Sequence, residues 1–122
     1  MDRSGNQAAE VELARPISEI KAELFRALAH PARIRVLEIL AAGELSVGEL
    51  QPLVGIEMSH LSQQLAVLRR AGLVTTRKAG SSVFYAIRDP ELVRLLSSAK
   101  QLLVNSLTAS QALLADLAGA DA

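Results

Sequence analysis

Short polar side chains cluster at one place in this 122-residue chain. Five of them fall within six positions: Ser59, His60, Ser62, Gln63 and Gln64. Hydroxyl, imidazole and amide groups can bond to phosphates or base edges, and a glutamine amide can pair with adenine in the major groove of duplex DNA. By itself the cluster is more typical of an ordinary polar helix surface with Ser59 as its cap.

Basic residues follow this polar cluster, and the segment that contains both has no acidic residue. The 31 residues from Met58 to Arg88 contain no Asp or Glu, and their five basic residues are Arg69, Arg70, Arg77, Lys78 and Arg88. The whole chain has 13 basic and 13 acidic residues, so the residues outside this segment include 8 basic and 13 acidic ones. A positive segment in an acidic remainder can approach a polyanion in one orientation only, although chance clustering on a solvated surface would look the same.

Helical patterns flank the polar cluster. Apolar spacing predicts a first helix over about 17–29, and Pro31 is suited to the first position of a second helix. His30 precedes that proline and is expected to cap or pack there. We predict that residues 1–15 form a mobile arm and that residues 16–118 form one domain.

Two further helices are predicted to be joined by a very short turn. Ser46 and Glu49 have the spacing of a capping box that opens a third helix, and Gly55 suits a left-handed residue after it. A fourth helix is predicted over 59–71, ending before Gly72. Only three or four residues connect the third and fourth helices, so they must cross steeply, as in a helix-turn-helix.

The rest of the chain is predicted to form a hairpin and a long helix. Strand-forming residues occupy 73–78 and 82–87, with a tip between them, and a final helix spans about 90–117. The expected fold is therefore mainly α with a small β-hairpin, in the order α-α-α-α-β-β-α of a winged helix-turn-helix. We expect the DNA-contacting residues to be Ser59, His60, Ser62, Gln63, Gln64, Arg69, Arg77, Lys78 and Ser81, with the last three on the backbone or in a minor groove.

The final helix carries more leucine than a domain of this size can cover. It would span roughly 40 Å, and we expect a second copy of the chain to bury its apolar side, although packing on its own domain is the alternative. The first helix can join that interface. The residues predicted to form the dimer contact are Ile17, Leu24, Phe25, Leu95, Leu96, Leu102, Leu103 and Leu107.

Three segments together are similar to one protein family. Residues 60–74 (HLSQQLAVLRRAGLV) resemble the recognition helix and exit strand of ArsR-type winged-helix repressors, residues 25–37 (FRALAHPARIRVL) resemble the entry to their second helix, and residues 80–87 resemble their wing. The resemblance covers about residues 20–103. It implies a homodimer that binds an inverted-repeat operator in double-stranded DNA and represses transcription; activation stays open.

The chain departs from this family where the resemblance implies metal or thiol sensing. The thiolate site of the family would fall on residues 45–49, which contain no sulfur. Its site on the last helix would begin at Asp89 and Glu91, but Leu102 and Asn105 stand where imidazoles would be needed. We therefore predict no metal and no cofactor, with a weak hard-cation site at Asp89 and Glu91 as the remaining alternative. The releasing signal stays open between a small organic molecule, a protein contact and none.

Other classes of protein fit the sequence poorly. The chain has no Cys, no glycine-rich phosphate loop, and only two His residues, which lie in different predicted helices, so we do not expect an enzyme. No apolar run is long enough for a membrane span, and the first 14 residues do not resemble a signal peptide, so we expect a cytoplasmic location. The alternative function is a dimeric protein-interaction adaptor with the same fold, but such a surface would carry exposed aromatic or aliphatic anchors.

Overall fold

The computed structural model describes the backbone of residues 3–120 and the side chains of residues 14–119. Its elements are α1 (Arg3–Leu28), α2 (Pro31–Leu40), β1 (Leu45–Ser46), α3 (Val47–Val54), α4 (Met58–Arg70), β2 (Val74–Ala79), β3 (Ser82–Ile87) and α5 (Pro90–Ala120). The chain divides into two compact units between Arg88 and Asp89, so that α5 forms a unit of its own. None of the helices within residues 3–120 is both long and apolar enough to cross a membrane.

The sheet is larger than the predicted hairpin by one strand. Strands β2 and β3 pair antiparallel, and β1 adds to the other edge of β3, giving the order β1-β3-β2. The short strand β1 pairs Leu45 with Tyr85 and Ser46 with Phe84. The mainly helical winged helix-turn-helix prediction is therefore confirmed, and it omitted a two-residue strand that is too short to show a sequence period.

The core of the first unit lies where α2, α3 and α4 pack against each other and against the sheet. Leucines with no exposed surface come from all three helices: Leu37, Leu50, Leu61 and Leu68. Their burial contributes about 1.5–3 kcal/mol each relative to an exposed side chain. This packing fixes α4 against α2 and α3, and so determines which of its residues remain at the surface.

Local signals in the sequence fix several helix ends. The Nδ1 atom of His30 accepts a hydrogen bond from the backbone N–H of Ala32, and Pro31 occupies the first turn of α2. Ser46 and Glu49 form the predicted capping box at the start of α3, with hydrogen bonds of 3.0 and 3.2 Å. The predicted cap at His30 and the capping box are therefore both confirmed.

Helix α1 begins at Arg3, so the predicted start near Ile17 is wrong. Most of the predicted arm, residues 1–15, lies within this helix, whereas residues 1 and 2 fall outside the described residues. Pro16 lies inside α1, where its missing N–H removes one helical hydrogen bond. The prediction began the helix where the apolar spacing begins, at Ile17, but alanine and glutamate residues upstream have enough helix propensity to continue the helix.

Helix α5 extends to Ala120, three residues beyond its predicted end at 117. Its first turn is stabilised by Asp89, whose side chain accepts a hydrogen bond of 2.9 Å from the backbone N–H of Glu91. Glu91 in turn forms an ion pair with Arg94 at 2.6 Å. Beyond residue 97 every described side chain of the helix is exposed, including its leucines.

Candidate nucleic-acid interface

The turn between α3 and α4 spans only residues 55–57. Gly55 takes a left-handed conformation with φ of 77°, and its N–H bonds to the carbonyl of Gln51 at 2.9 Å. The Gln51 amide then donates a hydrogen bond of 3.0 Å to the carbonyl of Ile56. Gln51 of α3 therefore stabilises the turn through two hydrogen bonds, and this role was not predicted from the sequence.

One side of α4 is polar and exposed. Ser59, Ser62, Gln63 and Ala66, which we call the exposed side of α4, are all exposed and follow helical spacing. The opposite side contains the buried Leu61, Leu65 and Leu68. The structure thus brings together Ser59, Ser62 and Gln63 as the sequence predicted.

Gln64 is the main exception, and the expectation that it is exposed is wrong. Its accessible surface is 9% of the maximum, and its Oε1 atom is buried without a hydrogen-bond partner among the described residues. Gln64 lies three residues after Leu61 and four before Leu68, which places it on the core side of the helix. The spacing of those leucines was the signal that would have identified it.

His60 is also separated from the exposed side of α4. It is half-buried, and its ring lies 6.0 Å from the ring of His30 in an edge-to-face arrangement. His30 caps α2, so this contact directs His60 toward α2. Met58 was not among the predicted contacts, yet it is exposed at the first position of α4 and could meet a thymine methyl group.

Within the described residues, no side-chain hydrogen bond caps the start of α4. Glu57 occupies the N-cap position without a side-chain cap hydrogen bond, so it leaves the first N–H groups of α4 uncapped by its side chain. Arg69 and Arg70 are exposed in its last turn. Among the described side chains, neither arginine forms an ion pair.

The wing is formed by β2, β3 and a two-residue tip. Gly80 has φ of 63° at the first tip position, as hairpins with two-residue turns require, and Ser81 follows it, exposed. Lys78 is exposed on β2, close to the tip, and has no ion-pair partner among the described side chains. Both residues therefore lie where the sequence analysis placed them, on an accessible edge of the wing.

Arg77 is engaged within the protein, unlike Lys78. Its guanidinium forms a two-pronged ion pair with the Glu44 carboxylate, with Nε–Oε2 at 2.9 Å and Nη2–Oε1 at 2.5 Å. It also lies 4.6 Å from the centre of the Phe84 ring. The hydrogen bonds from Arg77 lower the pKa of Glu44, and the same bonds raise the pKa of Arg77. Glu44 is a residue that the sequence analysis did not identify.

The predicted dimer residues differ in accessibility. Ile17 and Phe25 on α1 are exposed, as are Leu102, Leu103 and Leu107 on α5, whereas Leu24, Leu95 and Leu96 are half-buried. Further exposed apolar residues that the prediction did not include are Ile20, Val104, Leu113, Leu114 and Leu117. Each helix, taken separately, thus presents apolar surface to solvent.

No metal centre is visible in the part of the chain whose side chains are described. No three His, Cys, Asp or Glu residues there lie close enough to hold an ion. Asp89 and Glu91 are each engaged within the protein, in the cap and the ion pair of α5.

A cavity of about 320 Å³ lies between α1 and the end of α4, lined by Ile20, Glu23, Leu24, Arg70 and Ala71.

Comparison with known proteins agrees with this geometry. A family model described as a helix-turn-helix domain matches residues 28–77. An HTH-type transcriptional regulator of Mycobacterium tuberculosis, Rv0081, is 50% identical over 103 residues, which are 84% of this chain and 90% of that protein. The chain belongs to the ArsR-type winged helix-turn-helix family. It is a DNA-binding transcriptional regulator rather than an enzyme.

Solved structures and other relatives support the same family. The crystal structure of Rv0081 matches this ArsR-type regulator with a TM-score of 0.71, covering 76% of this chain and 94% of that chain. The biofilm growth-associated repressor of Agrobacterium fabrum is 45% identical over 75 residues, 62% of this chain and 64% of that protein. The transcriptional activator HlyU of Vibrio cholerae is 44% identical over 73 residues, 60% of this chain and 68% of that protein.

Proposed function

We propose that this ArsR-type regulator is a homodimer that binds an inverted-repeat operator and represses transcription. Helix α4 enters the major groove, and the wing contacts the DNA backbone or a minor groove. The observation that carries the proposal is the exposed side of α4, on which Ser59, Ser62 and Gln63 are held clear of the core. These hydroxyl and amide groups can read base edges where an acidic side chain would be repelled by phosphate.

The charge distribution supports this orientation. Exposed cations without an ion-pair partner among the described side chains include Arg69 and Arg70 of α4 and Lys78 of the wing. No acid lies between Glu57 and Asp89 in the sequence, so neither α4 nor the wing carries a negative side chain that would repel phosphate.

Exposed apolar surface on two helices supports the dimer. Leu102, Leu103 and Leu107 of α5, and Ile17 and Phe25 of α1, would be costly to leave in water. A second copy supplies the same surface and produces the two-fold symmetry that an inverted repeat mirrors. Half-sites would then lie about one helical turn apart.

Repression is the simpler outcome of operator binding. A bound dimer can block a promoter by occupying it, whereas activation also needs a surface that recruits the transcription machinery. The biofilm growth-associated repressor supports this choice, and the name of HlyU marks activation as the alternative. A reporter under the chain's own promoter distinguishes them, because deletion of the regulator should raise expression if it represses.

Operator binding is tested by titrating the protein against its own upstream DNA at several salt concentrations. We expect sub-micromolar affinity that falls steeply with salt. Lys78→Gln should lower the slope of log K against log salt by about 0.9, the value for one lost phosphate contact. Arg15→Gln removes one exposed positive charge from α1 and is the matched control, with no change in slope expected. Absent or salt-independent binding of the wild type would overturn the proposal.

The dimer is tested with two separate variants, each of which places one glutamate on α5. Leu103 lies on the apolar side of α5, while Asn105 is two residues away, on the polar side, where Gln101 donates a hydrogen bond of 2.8 Å to it. Leu103→Glu should yield monomers in sedimentation experiments and weaken operator binding, whereas Asn105→Glu should remain dimeric. A monomeric wild type, or a dimeric Leu103→Glu variant, would contradict the proposed assembly.

The adaptor alternative finds little support on α4. The exposed side of α4 has no aromatic residue, and Met58 is the only large exposed apolar side chain that the structure describes in this helix. The releasing signal stays open between a small organic molecule, a protein contact and none. Mass spectrometry of the purified protein, with elemental analysis, would identify a bound organic ligand or metal. We place the protein in the cytoplasm, as the sequence predicts.

A further inference from the structure

Arg77 is held from two directions at the base of the wing tip. Glu44, which lies between α2 and β1 and 33 residues earlier in the chain, binds its guanidinium through two oxygens. Phe84 lies directly opposite Arg77 on β3 and contacts the guanidinium with its ring face at 4.6 Å. An arginine side chain that forms a bidentate ion pair and also packs on an aromatic ring has little rotational freedom left.

This contact lies where the sheet changes from three strands to two. Strand β1 ends at Ser46, which pairs with the same Phe84 that faces Arg77. Beyond that level only β2 and β3 continue, from Lys78 to Val83, as a two-stranded ribbon. Isolated two-stranded ribbons are marginal and twist readily, so the direction of the tip depends on what holds its base.

The same contact argues against Arg77 as a phosphate ligand. The Glu44–Arg77 pair carries no net charge, and a phosphate that took Arg77 would leave the Glu44 carboxylate beside another anion. Lys78 follows on the opposite face of β2 and has no carboxylate partner among the described side chains. The two neighbouring cations are thus placed for different tasks.

We infer that Glu44 and Arg77 are positioning residues that fix the direction of the wing, while Lys78 supplies the contact between the wing and phosphate. The inference rests on the proposed function, because it assigns roles within the same DNA-binding surface. It also corrects the expectation from sequence that Arg77 and Lys78 would both contact DNA. Glu44, an acid outside the positive segment, becomes a residue on which operator binding depends.

The pairing is tested first without DNA. In the free full-length protein, an NMR titration of the carboxyl groups should show the Glu44 pKa below its ordinary value, and Arg77→Gln should return it upward. The same variant should speed hydrogen exchange of the amides in residues 79–82, because the base of the tip is released. Unchanged Glu44 titration or unchanged exchange at the tip would overturn the inference, whether or not the protein binds DNA.

The division of roles is then tested with operator DNA. Lys78→Gln should lower the salt slope by about 0.9, whereas Arg77→Gln should weaken binding several-fold and leave the slope unchanged. The single variant Arg77→Glu should bind operator DNA far more weakly than the wild type. The double variant Glu44→Arg/Arg77→Glu, which we call the exchange variant, should recover most of the wild-type affinity, because it forms the same ion pair with the two charges exchanged. An Arg77→Gln slope as low as that of Lys78→Gln, or an exchange variant no better than Arg77→Glu, would overturn the inference. If the wild type fails to bind any operator, the proposed function fails, and the measurements on free protein still decide whether the pair fixes the wing.

Discussion

Gln63 and Gln64 are consecutive residues of α4 with opposite environments: Gln63 is exposed, and Gln64 has 9% of its surface accessible. Each residue of an α-helix is turned by about 100° from the last, so one step moves a side chain from the solvent to the edge of the core. The Gln64 Oε1 atom is buried without a hydrogen-bond partner among the described residues. Two identical side chains therefore lie in different environments, and in the proposed function only Gln63 contacts DNA.

Removal of the exposed amide should affect recognition and leave the fold unchanged. We expect Gln63→Ala to lose about 1–3 kcal/mol of discrimination at one base pair in each half-site, because a side chain that reads a base edge is removed. Binding to operators with every substitution at that position would measure this loss, and the melting temperature should stay at the wild-type value. Equal loss against all sequences would show that Gln63 contacts the backbone instead.

Replacement of the buried amide should affect stability alone. Gln64→Leu exchanges a buried, unpaired oxygen for apolar atoms of similar volume, and we expect an unchanged or higher free energy of unfolding in urea. Operator affinity should remain within a few-fold of the wild type. Loss of sequence discrimination in this variant, with the fold intact, would mean that Gln64 leaves the core to reach DNA.

The turn before α4 should depend on a glycine that no other residue replaces well. Gly55 has φ of 77°, and an added side chain there would strain the backbone although the space around it is open. We expect Gly55→Ala to reduce the free energy of unfolding by about 1 kcal/mol. Gly48 lies within α3 with an ordinary φ and 3.9 Å from the nearest atom that a new carbon would meet, so Gly48→Ala should be neutral or stabilising. Similar losses in both variants would contradict this assignment.

The Glu44–Arg77 pair should give a pH-dependent contribution to stability. Arg77 lowers the pKa of Glu44 in the folded protein, so the pair stabilises the fold above the pKa that Glu44 has in the unfolded chain. That contribution is lost as pH falls through the lower, folded-state pKa, while Arg77, whose pKa is raised, stays charged throughout. The difference in unfolding free energy between wild type and Arg77→Gln should therefore shrink from neutral to acidic pH, with Arg15→Gln as the control. A difference that grows in acid would contradict the pairing.

Much of the fold follows from local sequence signals. The capping box at Ser46 and Glu49, the proline after His30, and the glycines at 55, 72 and 80 each fix one element boundary through short-range chemistry. Such signals act over a few residues and can be recognised in a single sequence. They did not show the start of α1, because the mostly polar residues before Pro16 lack the apolar spacing from which that helix was predicted.

The features that the sequence did not show depend on distant residues. Glu44 and Arg77 are 33 positions apart, and only the pairing of β1, β2 and β3 brings them together. The contact between His30 and His60 likewise requires α2 and α4 to be packed. Gln64 differs, because the leucine spacing around it already predicted its burial and the polar type of the residue was given too much weight.

The central claim is that two copies of α4 lie in successive major grooves of an inverted repeat. Dimethyl sulfate footprinting measures this most directly, because the reagent methylates guanine N7 in the major groove. We expect protection of guanines in two symmetric half-sites about 10 base pairs apart. Reactivity equal to that of free DNA, at protein concentrations where the complex is fully formed, would contradict the claim.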